Sequence, residues 1–262
     1  MQALSFVTVL GALALGACSN LSGSEAQPNR YGALNVQAKN NGTTGATGLA
    51  TMIFFKGVSV SVPNSSNSQF DQCIISGIDT STVAATGMNS VGSGLAMNIA
   101  GRAVPLTYNS ANLRYETGAN QVSYSAGESV TINVPDAGTV FPLSTLTLKL
   151  AEPIIPSALT LPAANTDWVV RWNGTNDGVS SIQLQLQYAT SSTATKATEQ
   201  VYCVLQDDGS VTIPASYLTG FLGSPNALRS MRLLRWRTNE RVVDANTLLH
   251  LTSTIDTIVT FP

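Results

Sequence analysis

Side chains able to do chemistry are few in this chain. His250 is the only imidazole among 262 residues. A serine hydrolase of the usual kind needs a base beside its nucleophile, and a His-based metal site needs more than one ring. No Gly-x-Ser-x-Gly elbow occurs either. His250 sits in Leu248-Leu249-His250-Leu251-Thr252, where alternation turns Leu249 and Leu251 one way and His250 the other. It reads as a half-exposed strand histidine. Glycoside hydrolysis needs only two carboxylates, and 15 acids are present. Asp136, Asp177, Asp207 and Asp208, however, all lie within two residues of Gly or Pro, where turn chemistry accounts for them. Asn173, Thr175 and Asp177, followed by Gly178, partly mimic the start of a calcium loop. The Glu that such a loop places six residues after its glycine is here Leu184. A hairpin turn is the better reading, and neither a metal nor a cofactor is expected.

One stretch stands apart in composition. Arg229, Arg232, Arg235, Arg237 and Arg241 gather five of the 13 Lys and Arg residues into one short segment. As a strand, it puts Arg229, Met231, Leu233, Arg235 and Arg237 on one face and Arg232, Leu234 and Trp236 on the other. The preferred reading is structural: long stems cover apolar surface while the guanidiniums pair with acids of neighbouring strands. The functional alternative makes Arg229, Arg232, Arg235, Trp236 and Arg237 a ligand site, for lipid phosphate or an acidic polysaccharide, or for a sugar ring stacked on Trp236. Nucleic acid is not expected as a partner, because 13 basic residues against 15 acidic ones give a net charge of −2.

Residues 3–17 form an uncharged apolar run that ends in Leu15-Gly16-Ala17-Cys18. The run is shorter than the roughly 20 residues of a membrane span and fits a signal-peptide core. Its end resembles the lipobox of bacterial lipoproteins. The resemblance implies that residues 1–17 are a signal peptide and that Cys18 becomes the lipidated first residue, anchoring the protein in a bacterial envelope membrane through its acyl chains. Ser19 after it is compatible with outer-membrane sorting. Residues 18–30 are small and polar and read as the lipidated tether.

From Tyr31 onward the elements read as strands. Charged residues are only 11% of the chain, while apolar residues, at 44%, suffice for a sizeable core. Short apolar or alternating runs are separated by Gly, Asn, Asp, Ser and Pro, the mark of an all-β fold. The clearest is Ser181-Ile182-Gln183-Leu184-Gln185-Leu186-Gln187-Tyr188, with its apolar side chains on one face and its glutamines on the other. Trp168, Val170 and Trp172 likewise share a face. This strand is expected to form a hairpin with 181–188 across the turn at 173–178, and another turn is expected at Asp207-Asp208-Gly209. One helical turn is expected, starting at Pro214 and ending near Gly220.

Prolines 153, 156 and 162 suggest a connection between domains. The expected organisation is therefore two tandem immunoglobulin-like β-sandwiches, residues 31–152 and 153–262. The second half loosely resembles β-sandwich repeats of bacterial surface lipoproteins, on Asp167–Trp172, Tyr202-Cys203-Val204 and Asp207-Asp208-Gly209; this likeness is structural and implies no site. Asp71-Gln72-Cys73 and Glu199-Gln200-Val201-Tyr202-Cys203 form a faint internal echo. Two separately buried thiols at Cys73 and Cys203 are preferred to a bridge, although the envelope would permit one.

The expected function is a non-catalytic, envelope-anchored module with a structural, adhesive or binding role, its partner being a glycan or an envelope protein. The alternative is a carbohydrate-binding accessory protein of a secreted hydrolase or a transporter, with Trp168, Trp172, Tyr188 and Trp236 as candidate platform residues. A third possibility, an enzyme, would need a cleft with convergent carboxylates.

Overall fold

The computed structural model describes residues 29–56, 71–78, 89–157, 159–175, 177–191 and 193–261. The signal peptide, Cys18 and most of the tether lie outside the described residues. The fold is all-β: of the described residues 57% are strand and 6% helical. The chain begins with β1 (Arg30–Asn41), β2 (Gly45–Lys56) and β3 (Gln72–Gly77). Short strands follow: β4 (Ala96–Ile99), β5 (Arg102–Pro105), β6 (Thr107–Asn109), β7 (Arg114–Glu116) and β8 (Val122–Ser125). Next come β9 (Ser129–Val134), β10 (Ser144–Lys149), β11 (Pro156–Ser157) and β12 (Trp168–Trp172). The remainder is β13 (Ser180–Tyr188), β14 (Glu199–Gln206), β15 (Ser210–Ile213), helix α1 (Ala215–Gly223), β16 (Ser230–Asp244) and β17 (Thr247–Thr260).

Nine strands form a sheet in the order β3-β14-β13-β16-β17-β1-β2-β7-β6, and β8 adds to β2 as its tenth member. A four-stranded sheet (β10-β9-β4-β5) and a three-stranded sheet (β11-β12-β15) complete a sandwich-like assembly. Alternation along each long strand builds the core. The inner face of the large sheet contributes Leu34 and Val36, Ile182, Leu184 and Leu186, Met231 and Leu233, and Leu249 and Leu251, all fully buried. Val130, Ile132 and Val134 of β9 belong to the same apolar cluster, as do Trp168, Val170 and Trp172. Each such aliphatic side chain contributes about 1.5–3 kcal/mol on burial. Helix α1 starts after Pro214, as expected, and buries Leu218 and Phe221.

The large sheet differs from the tandem arrangement expected for 31–152 and 153–262. β1 and β2 precede residue 152, and β13, β14, β16 and β17 follow it, yet all are members of one ladder. β17 pairs with β1 in parallel, from Arg30↔Thr247 to Lys39↔Asp256. The proline-rich stretch is not an exposed connection at its start: Ala151 and Ile154 are fully buried. Proline cannot donate to a ladder, and side chains satisfy this backbone instead. Ala151 N donates to Ser253 Oγ at 2.9 Å, and Ile154 N to Asn40 Oδ1 at 3.2 Å. Arg30, assigned to the tether, opens β1 and pairs with Asp244 at 2.8 Å.

Two local expectations also change. β12 does not form a hairpin with β13; it pairs with β11 and β15 in the three-stranded sheet, while β13 pairs with β14 and β16. Residues 173–175 and 207–209 thus stand at corners where the chain changes sheets. Cys73 and Cys203, expected as separate thiols, face each other across β3 and β14 and form a disulfide. The echo between Asp71-Gln72-Cys73 and Glu199–Cys203 belongs to two neighbouring strands.

Candidate functional site

Arg229 lies just ahead of β16 and the other four arginines lie in it, where the sheet divides the side chains between two faces. Arg235 and Arg237 point inward and are 0% and 2% exposed. The five N–H donors of Arg235 all find acceptors. Nε donates to Asp207 Oδ2 at 2.7 Å and Nη2 to Asp207 Oδ1 at 3.1 Å, a two-pronged grip on one carboxylate. Nη1 donates to the carbonyls of Glu152 and Pro153, each at 2.9 Å, and Nη2 donates also to the carbonyl of Asn173. Asp207 accepts further bonds from Trp172 Nε1 at 2.8 Å and Thr175 Oγ1 at 2.9 Å. A buried charge persists only when paired and hydrogen-bonded, and both members of this pair are.

Two corners bring these groups together. Asp207 stands where β14 leaves the large sheet for β15; Asn173 and Thr175 stand where β12 leaves the small sheet for β13. The corners pack backbone against backbone, and glycine permits it. A Cβ on Gly174 would lie 2.6 Å from Gly209 N, and Gly209 itself has φ +100°. Trp172 N donates to the Gly209 carbonyl at 2.9 Å. Asn173 Nδ2 donates to the Pro153 carbonyl at 2.9 Å, and its Oδ1 accepts from Ile155 N.

The residues that mimic a calcium loop are therefore engaged by the protein: Asn173 by the 153–155 backbone, Thr175 by Asp207, and Asp177 by Arg237. Burial would raise the Asp177 carboxyl. The N–H groups of Val179 and Ser180 and the Arg237 guanidinium outweigh it and hold that carboxyl below its ordinary range. Arg237 also lies 3.9 Å from Glu152, which pairs with Lys149 at 2.6 Å. Among the described residues, no group of three or more His, Cys, Asp and Glu side chains is placed to hold a metal ion.

Arg232 points the other way and pairs with Asp256 at 3.0 Å. Arg229 reaches the Leu222 carbonyl at 3.4 Å and Arg241 the Thr145 carbonyl at 2.8 Å. The five candidate residues Arg229, Arg232, Arg235, Trp236 and Arg237 thus do not converge on one anionic site. Two of their guanidiniums are interior, and each of the four has a protein acceptor.

The outer face of the large sheet keeps one candidate. Trp236 is half-buried there, between Ser181 of β13 and Thr254 of β17. Gln183, Gln185 and Gln187 line β13 on this face, and Asn35 and Gln37 line β1. The other platform candidates, Trp168, Trp172 and Tyr188, are 3%, 5% and 3% exposed and belong to the core. Trp168 packs against Phe221 and Phe261 at 6.1 and 5.7 Å between ring centroids.

His250 lies on the same outer face, largely covered. Its ring stacks on Tyr31 at 6.3 Å, Nε2 bonds Thr252 Oγ1 at 2.8 Å, and Nδ1 lies 3.8 Å from Glu240. Burial lowers the His250 pKa against the opposing pull of Glu240. Burial, helped by Glu240, pushes the Tyr31 phenol up to about 12. An open polar cleft of about 570 Å³ lies elsewhere, lined by Asn41, Arg102, Ser123, Ser125 and Glu128 among others, and includes none of the sequence candidates.

Sequence reasoning missed the partnership of Asp207 with Arg235. Nothing local separates Asp207, which is buried, from Asp208 beside it in the same Asp-Asp-Gly turn. Comparison of the chain with family profiles, curated proteins and solved structures finds no match.

Proposed function

We propose that the chain is a non-catalytic, lipid-anchored module of a bacterial cell envelope, attached through Cys18, with a structural, adhesive or binding role. The Cys73–Cys203 disulfide is the observation that carries this reading. Disulfides persist in oxidising compartments and are rare in the cytosol. The bridge therefore agrees with the exported address implied by Leu15-Gly16-Ala17-Cys18. Growing cells with a fatty-acid analogue should label the wild type and leave Cys18→Ser unlabelled. An unlabelled wild type rejects the anchor.

A carbohydrate ligand is the second reading, and Trp236 favours it. It is the one tryptophan of three outside the core, and rows of amide and hydroxyl side chains surround it on an open sheet face. Such a face offers an indole ring for the apolar side of a sugar and donors and acceptors for its hydroxyls. A glycan array probed with the full chain should give a signal that Trp236→Ala removes without changing the circular dichroism. A signal that Trp236→Ala leaves intact rejects this face as the site.

A further inference from the structure

The sheet edges in this protein are not treated alike. β5, one edge of the four-stranded sheet, carries exposed Arg102 and Pro105. At the opposite edge, β10 has its Thr145 and Thr147 carbonyls bonded by Arg241 and Asn239 of β16. In the three-stranded sheet β11 is two residues long and begins with Pro156, while β15 is four residues long and runs into Pro214. At one end of the ten-stranded sheet β6 spans three residues, with Asn109 tied to Glu116 and Arg114 paired to the same carboxylate. Short length, charge, proline and coverage are the devices that keep an edge from pairing with another chain.

β3, at the other end of that sheet, shows none of them among the described residues. Its six residues, Gln-Cys-Ile-Ile-Ser-Gly, include neither a charge nor a proline. Ile74 and Ile75 are each 51% exposed. β14 pairs with one side of β3, and among the described residues no strand pairs with the other. Ile78 N bonds the Thr198 carbonyl, in step with the Cys73↔Cys203 register. In an antiparallel ladder that phase leaves the N–H and C=O groups of Cys73, Ile75 and Gly77 on the free side. The disulfide to Cys203 pins this strand to its neighbour, so the edge is held extended and ready to pair.

We propose that β3 is a self-association edge, at which two copies of this chain pair β3 with β3 in antiparallel fashion and continue the sheet across a two-fold axis. An extended strand is the occupant whose backbone matches a free row of donors and acceptors. A second copy is the strand this edge fits by its own symmetry. A two-fold axis normal to the sheet through Ile74 sets Ile74 opposite its counterpart on the outer face. It also sets Ile75 opposite Cys73, so that the free backbone groups of those residues bond reciprocally. No charge meets a like charge anywhere along the pairing; each exposed Ile74 covers its counterpart, and each exposed Ile75 lies against Cys73 of the other copy. Such a closed, isologous contact ends at a dimer.

Sedimentation velocity of the purified full chain in a mild non-ionic detergent tests this. The wild type should show a concentration-dependent dimer. Ile74→Lys, which sets like charges face to face, should weaken it by about tenfold or more. Ile258→Lys, at an equally exposed isoleucine on β17, should leave it unchanged. Ile74→Cys keeps the strand apolar and serves if the lysine variant does not fold; on oxidation it should give a covalent dimer on a non-reducing gel, and Ile258→Cys should not. A monomeric wild type, a dimer equally tight in Ile74→Lys, or no covalent dimer from Ile74→Cys would each overturn the proposal.

Discussion

Replacing Arg235 with methionine keeps an unbranched apolar stem and removes the guanidinium with its five donors. Asp207, with a side chain 2% exposed, then keeps only Trp172 Nε1 and Thr175 Oγ1, and its charge loses its counter-ion. The carbonyls of Glu152 and Asn173 lose the Arg235 donors as well. Breaking a buried pair from one side costs about 3–5 kcal/mol, because the remaining charge stays desolvated. That is a large share of a typical margin of about 5–15 kcal/mol. For a chain of this size it corresponds to a fall in Tm of roughly 6–20 °C. Urea unfolding followed by tryptophan fluorescence should therefore show an earlier midpoint with an unchanged slope. The double variant Arg235→Met/Asp207→Leu should be more stable than Arg235→Met alone, since removing both charges spares the uncompensated one. It should remain below wild type, because Trp172 Nε1 and Thr175 Oγ1 lose their acceptor. A stability for Arg235→Met within about 0.5 kcal/mol of wild type, the size of an ordinary surface change, would refute this account.

Three further outcomes are expected. Trp168→Ala empties a site packed by Phe221 and Phe261 and should cost about 3–5 kcal/mol in the same assay, whereas an unchanged urea midpoint would place the ring outside the core. Cys73→Ser combined with Cys203→Ser removes a cross-link between residues 130 apart and should cost about 2–5 kcal/mol, read as an earlier urea midpoint; equal midpoints would mean that the bridge adds nothing to stability. His250 has a folded pKa below its ordinary value, so in the window beneath about pH 6.5 the unfolded chain binds a proton that the folded chain refuses. Stability should hold above that pH, fall as the pH drops below it, and level off beneath the folded pKa. His250→Gln should flatten that part of the profile, and an equally steep fall in the variant would exclude His250 as the cause.

What the sequence alone determined is the face each residue takes. The period of two along 180–188 separates buried Ile182, Leu184 and Leu186 from half-buried glutamines. The same period predicts that Trp168, Val170 and Trp172 go inward together, and that Arg235 and Arg237 share a face with Met231 and Leu233. Pro214 announces the helix. These signals are local, because the pleat of a strand alternates whatever lies beside it. The choice of neighbour was decided only by the tertiary structure. A ladder bonds backbone to backbone, and the backbone is the same at every residue, so nothing in Arg30–Asn41 names Thr247–Thr260 as its parallel partner. Two corners remote in sequence met, and an aspartate that reads as a turn residue became the buried counter-ion of Arg235. Cys73 and Cys203 likewise became a bridge only once β3 lay beside β14 in a register that set them face to face. Apolar burial rewards any arrangement that hides the same faces, and the selection among arrangements rests on which buried polar groups find partners.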